Sequence, residues 1–218
     1  MADSTVTLAK PLALHWQQPG PRLFASIKVS LFLVCLLPLA QLLWHALLGQ
    51  AVNPIEDLTR GLGTWTLRFL LLTLCVSPLR ALGAPGWLLR LRRMLGLYAF
   101  FYVCLHLLTY LWLDQFFDWA AIVRDIVKRP FITVGMLAFL LLLPLAITST
   151  DGWIRRLKRN WGKLHRLVYV IAPLGVLHYL WLVKRDIQSP LIYAAILAVL
   201  LLWRVWRYLR PTLAARVK

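Results

Sequence analysis

Three histidines, His106, His165 and His178, stand inside long apolar runs of this 218-residue chain. An imidazole in hydrocarbon is costly unless it is paired or coordinated, so each is a candidate functional residue. Their depth decides the chemistry. His106 lies thirteen residues beyond Arg93 and seven before Leu113, and His178 lies six before Lys184. At a rise of ~1.5 Å per residue, both fall roughly 9–10 Å from the outer ends of their helices. Two imidazoles facing each other at one depth suit the two axial positions of a haem iron, with the porphyrin between the helices. A hydrogen bond to a neighbouring helix is the plain alternative for any single histidine, but it does not account for a depth-matched pair.

His165 precedes His178 by thirteen residues, roughly 20 Å along a helix and about two-thirds of a hydrocarbon core. It is level with the inner end of the helix that carries His106. A second haem there would want a histidine near position 92 or 93, and the sequence offers Arg92 and Arg93. An arginine at that place could pair with a haem propionate or a flavin phosphate. On an ideal helix His165 and His178 point about 140° apart, and Pro173 between them can kink the helix.

The elements that position these residues are transmembrane helices. The chain is 61% hydrophobic with a mean hydropathy of +0.70, which marks an integral membrane protein. Six spans are expected, at about 24–48, 62–82, 94–113, 131–148, 164–183 and 191–209. They form one haem-binding transmembrane domain, 23–209, between a flexible tail, 1–22, and a short basic tail, 210–218. Residues 49–61 and 83–93 read as loops, because Gly, Pro and charged residues interrupt the apolar pattern. The segment from Asp114 to Pro130 mixes charged and apolar residues at helical spacing and reads as an interfacial helix. No repeat of soluble-solenoid type is evident, no cleavable signal peptide is visible, and the first span would act as an uncleaved anchor.

The net charge of +17 would suggest nucleic acid in a soluble protein, but here it orients the helices. Eighteen of the 25 Lys and Arg residues fall on the side that holds both termini. That side is therefore cytoplasmic. Cys35, Cys75 and Cys104 lie in apolar runs without a C-x-x-C spacing, so they read as buried free thiols, and no C-x-x-C-H would attach haem covalently. His45 reads as interfacial and His15 as solvated.

The segments ITSTDGW, WGKLHRLVYVIAPLGVLHYLW and LRRMLGLYAFFYVCLHLLTY closely resemble the haem-binding membrane subunits of bacterial periplasmic protein-methionine-sulfoxide reductase systems. The W-x-x-L-H-R-L-x-Y pattern is the most specific part, and the resemblance covers all six spans. More distantly, the chain is similar to the ferric reductase and NADPH oxidase transmembrane domain. That domain carries two histidines on span three and two on span five, for an inner and an outer haem b. The resemblance therefore implies a six-helix all-α bundle in which His106 and His178 hold the outer haem and His165 is one inner ligand, with one or two haems per chain. It also implies FMN as a cofactor, an inner-membrane location, and electron transfer from quinol or a cytosolic flavin reductase. The acceptor would be a periplasmic molybdopterin subunit that carries the sulfoxide-reducing site, leaving no catalytic residue on this chain. A stand-alone transmembrane haem reductase acting on ferric iron, or a histidine-relay proton transporter, are the competing functions. Few acids in the spans and no broken-helix pair argue against the transporter.

Overall fold

The computed structural model describes residues 19–49, 52–184 and 186–216, and among them every regular element is helical. In order these are α1 (Pro21–Leu47), α2 (Pro54–Ala81), α3 (Leu88–Thr109), α4 (Trp119–Lys128), α5 (Pro130–Ile147), α6 (Asp151–Leu157), α7 (Arg159–Leu164), α8 (Val168–Leu182) and α9 (Gln188–Arg216). A π-helical turn, Tyr110–Asp114, prolongs α3, and a 3-10 turn, His165–Leu167, joins α7 to α8. The expected N-terminal tail lies outside the described residues except at its inner end, where α1 already begins. At the other end α9 runs past Leu209 to Arg216.

Among the described residues, five helices are long and apolar enough to cross a membrane: α1, α2, α3 with its π-turn, α5 and α9. The chain is thus a multi-pass membrane protein. The expected span at 164–183 is divided instead, its 3-10 turn preceding 15 residues of continuous α8. At ~1.5 Å per residue that is about 22 Å, short of the ~30 Å hydrocarbon core.

Two expected loops are partly helical. Asn53 caps α2 by accepting from the Glu56 amide at 3.3 Å, Pro54 fills the first helical position, and Glu56 and Asp57 face the positive end of the helix. These signals start α2 eight residues before Leu62, and α3 likewise begins at Leu88 rather than Met94. The segment expected to be an interfacial helix is helical, as α4. It buries Ile122 against α5 and leaves Trp119, Val123 and Val127 exposed in an i, i+4, i+8 stripe, the pattern of a helix lying at a membrane surface.

The core sits around α2, which packs on α1, α3, α8 and α9. Leu62 and Leu74 of α2 have at most 1% exposure, as do Ala99 and Tyr102 of α3 and Ile171 and Ala172 of α8. Several polar groups within the spans find internal partners, as hydrocarbon favours. Thr66 and Thr73 donate to the carbonyls of Leu62 (3.0 Å) and Phe69 (2.7 Å) one turn earlier. Arg204 of α9 donates to the Leu74 carbonyl at 2.7 Å and lies 5.0 Å from the Tyr169 ring, and Arg68 donates to the Tyr193 hydroxyl at 2.9 Å. Those cations therefore fasten α9 to α2 and α8.

Candidate metal centre

His106 comes from α3 and His178 from α8, on helices that do not adjoin in sequence. Their rings face each other with centroids 6.1 Å apart and planes at 80°. His106 Nδ1 lies 2.8 Å from the Thr59 carbonyl oxygen of α2, and His178 Nδ1 lies 2.6 Å from the Phe131 carbonyl oxygen of α5. A carbonyl only accepts, so each Nδ1 must carry the proton and donate. Each Nε2 is then left with its lone pair, the form in which a neutral imidazole binds a metal. The backbone partner also fixes ring orientation, as outer-shell partners of metal-bound histidines do.

Both rings line one cavity of about 500 Å³. Its walls are mainly apolar, among them Leu67, Leu70, Val103, Phe139 and Leu142. The charged residues on its lining are Glu56, Arg60, Asp114 and Arg129, drawn from the ends of α2, α3 and α4. Thr59 also lines it, and its hydroxyl oxygen is buried without a hydrogen-bond partner among the described residues.

This geometry fits a haem held by two histidines. Imidazoles bound on opposite faces of one metal ion at ~2 Å have ring centroids about 6 Å apart, which is the spacing observed. The wall is mainly apolar, as a porphyrin ring would need. The polar exceptions, the Thr59 hydroxyl and the arginines, are where carboxylate side chains could be satisfied.

The other expected site residues are elsewhere. His165 does not line the cavity. Its ring stacks on Trp161 with centroids 3.9 Å apart, and its Nε2 lies 3.1 Å from the Thr148 hydroxyl oxygen. That hydroxyl gives its own proton to the Pro144 carbonyl at 2.6 Å, so His165 Nε2 is the donor. Trp161 Nε1 in turn donates to the Thr148 carbonyl at 2.9 Å. The 3-10 turn that begins at His165 changes its aim relative to His178, which a continuous helix with a Pro173 kink does not describe. Arg92 and Arg93 also lie off the cavity lining, and Arg93 pairs with Asp151 at the start of α6. Its guanidinium holds the Asp151 carboxyl below the usual carboxylate range. Among the described residues no three His, Cys, Asp or Glu side chains cluster as a metal site, and all three cysteines are free. Sequence reading missed Thr59, Arg60, Arg129 and Phe131, because carbonyl acceptors and cavity-edge charges carry no motif.

The fold and site define a helical membrane protein with a histidine pair held between two of its helices. Residues 62–176 match the family model of the ferric reductase like transmembrane component. The chain is 63% identical over 198 residues to the protein-methionine-sulfoxide reductase heme-binding subunit MsrQ of Azospira oryzae, an alignment covering 88% of this chain and 84% of that protein. It is 55% identical over 192 residues to the MsrQ of Herminiimonas arsenicoxydans (86% and 88% covered) and 59% identical over 157 residues to that of Xanthomonas campestris pv. campestris (72% of each). The chain belongs to the MsrQ family, within the ferric reductase-like transmembrane proteins. No solved structure gives a significant match.

Proposed function

We propose that this chain is a b-type haem electron-transfer subunit of a protein-methionine-sulfoxide reductase, with His106 and His178 as axial ligands. The single observation that carries the reading is the facing histidine pair, each Nδ1 held by a backbone carbonyl and each Nε2 free, at the spacing two axial ligands require. When bound, the haem supplies reversible one-electron carriage.

The remaining work belongs to the chain. The Thr59 and Phe131 carbonyls hold the imidazoles in one tautomer and orient Nε2 inward. Apolar side chains of α2, α3, α5 and α8 keep water from the site. The Thr59 hydroxyl, Arg60 and Arg129 are the groups available to the propionates. His165, held by Thr148 and Trp161, is assigned a structural place at the inner end of the bundle.

We place α8 and the turn before it as the fifth of six spans. Its polar inner end, with His165, Trp161 and the basic α6–α7 segment, lies at the lipid headgroups, so 15 helical residues suffice. Both termini are then cytoplasmic, in agreement with the distribution of Lys and Arg. In a bacterial inner membrane, electrons would enter from quinol or a cytosolic flavin reductase. They would leave to a periplasmic molybdopterin subunit, where the sulfoxide is reduced. The histidine pair is on the outer half of the bundle, beside that acceptor.

An absorption spectrum of the purified protein tests the proposal. A Soret band with sharp reduced α and β bands is expected, and His106→Ala or His178→Ala should remove most of it. A folded but colourless wild-type protein, or full haem in both variants, would overturn it.

A further inference from the structure

Two residues close to the histidines have no side chain at all. Gly63 lies four positions after Thr59 on α2, and Gly135 four positions after Phe131 on α5. A Cβ on Gly135 would stand 2.7 Å from His178 Nδ1 and 2.9 Å from its Cε1, and a Cβ on Gly63 would stand 3.1 Å and 3.2 Å from the Cε1 and Nδ1 of His106. Neither glycine has the positive backbone angle that would by itself demand glycine.

The reason is local helix geometry. The carbonyl of residue i accepts from the amide of residue i+4, and its second lone pair can take one more donor. The side chain at i+4 is therefore the one that would obstruct a second donor arriving from another helix. Here that donor is an imidazole Nδ1–H, and at both places the obstruction is absent.

The device occurs twice with one spacing. Carbonyl and histidine are 47 residues apart in each case. Thr59 and Phe131, Gly63 and Gly135, and His106 and His178 are each separated by 72 residues. The same offset relates other lining positions, Leu70 with Leu142 and Val103 with Gly175. The hairpins α2–α3 and α5–α8 are thus related as a direct repeat around the cavity; of the named pairs, the glycines, the histidines and Leu70 with Leu142 are identical.

We infer that Gly63 and Gly135 are positioning residues for the metal centre: each clears the seat in which an imidazole donates to the carbonyl one helical turn before it. The inference rests on the haem reading for its spectroscopic consequences, but not for the seat itself. The two seats differ in tightness. At Gly135 a methyl group would overlap ring atoms, and the ring could only move by giving up its bond to Phe131. At Gly63 a shift of a few tenths of an ångström is enough.

Gly135→Ala, Gly63→Ala and, as a control, Gly96→Ala test this, since a Cβ at Gly96 meets nothing nearer than the Thr73 methyl at 3.9 Å. Haem content, electron paramagnetic resonance and midpoint potential are read on the full-length protein, with chromatography and circular dichroism reporting the fold. Gly135→Ala should lose most of its haem or its low-spin six-coordinate signal while staying folded. Gly63→Ala should keep haem with a shifted potential, and Gly96→Ala should match wild type. A wild-type signal and potential in Gly135→Ala would overturn the inference, as would equal losses in all three variants, the pattern of general helix packing. If Gly135→Ala does not fold, the milder Gly63→Ala decides. Nitrogen NMR of labelled histidines in haem-free protein separates this from the haem proposal: wild type should show Nδ1-protonated His106 and His178, and Gly135→Ala should lose that signature at His178. An unaltered His178 there would sink the seat even if haem binds.

Discussion

Tyr102 inserts its hydroxyl into the backbone of α1, accepting from the Leu39 amide at 3.0 Å and donating to the Cys35 carbonyl at 2.8 Å. Those two backbone groups are four residues apart and would otherwise bond each other. The insertion falls beside Pro38, whose missing amide already opens the helix. A fully buried side chain of α3, which also carries His106, therefore completes the hydrogen bonding of a neighbouring span.

Tyr102→Phe should leave the Leu39 amide and Cys35 carbonyl without their bridge in an apolar setting. An unsatisfied buried group costs about 1–3 kcal/mol, and each kcal/mol lowers Tm by roughly 2–4 °C in a domain of this size. Melting followed by circular dichroism should show a fall in that range. Tyr98→Phe, which removes only a second donor to the Phe32 carbonyl, should fall less. Equal melting of Tyr102→Phe and wild type would mean the bridge contributes nothing.

Membrane topology is decided by whether α8 crosses. Reporters fused at Gly83 and at the C-terminus should both read cytoplasmic, and one inserted at Gln115 should read external. An external C-terminus would mean that α8 turns back within the bilayer.

Arg60 and Arg129 put positive charge on the cavity lining, offset in part by Glu56 and Asp125. Positive charge favours the electron-rich state of a nearby redox centre, so Arg60→Gln and Arg129→Gln should each lower the midpoint potential. Redox titration checks the sign, and an upward shift in both would remove these arginines from the site.

Asp151 is ion-paired to Arg93 with its carboxyl below the ordinary value. For a depressed carboxylate the stabilisation is present above the unfolded value, about 3.9, and is lost as pH falls through the folded value. Wild type should melt slightly higher than Asp151→Asn at neutral pH, and the difference should vanish in strong acid. Since the pair is exposed, the difference is small. A gap that persists after acidification would point to another role for Asp151.

Much of this protein was legible in the chain. Long apolar runs mark helices because hydrocarbon leaves the backbone no other partner. The spacing of His106 and His178 set a common depth because helical rise is constant. Boundaries were less legible: Asn53 and Pro54 resemble turn residues until their cap on α2 is seen, and nothing in the sequence announced the 3-10 turn at His165. That turn matters, since His165 bonds to Thr148 rather than entering the cavity.

The sequence by itself determined the membrane class, the positions of five apolar spans among the six it led us to expect, and a matched pair of histidines. Only the tertiary structure decided that the Thr59 and Phe131 carbonyls take the Nδ1 atoms of those histidines, that the two rings come within 6.1 Å of each other, and that Gly63 and Gly135 lie against them. The reason is physical. Backbone carbonyls are the same at every residue, so which of them receives a side chain from 47 positions away is fixed by packing alone.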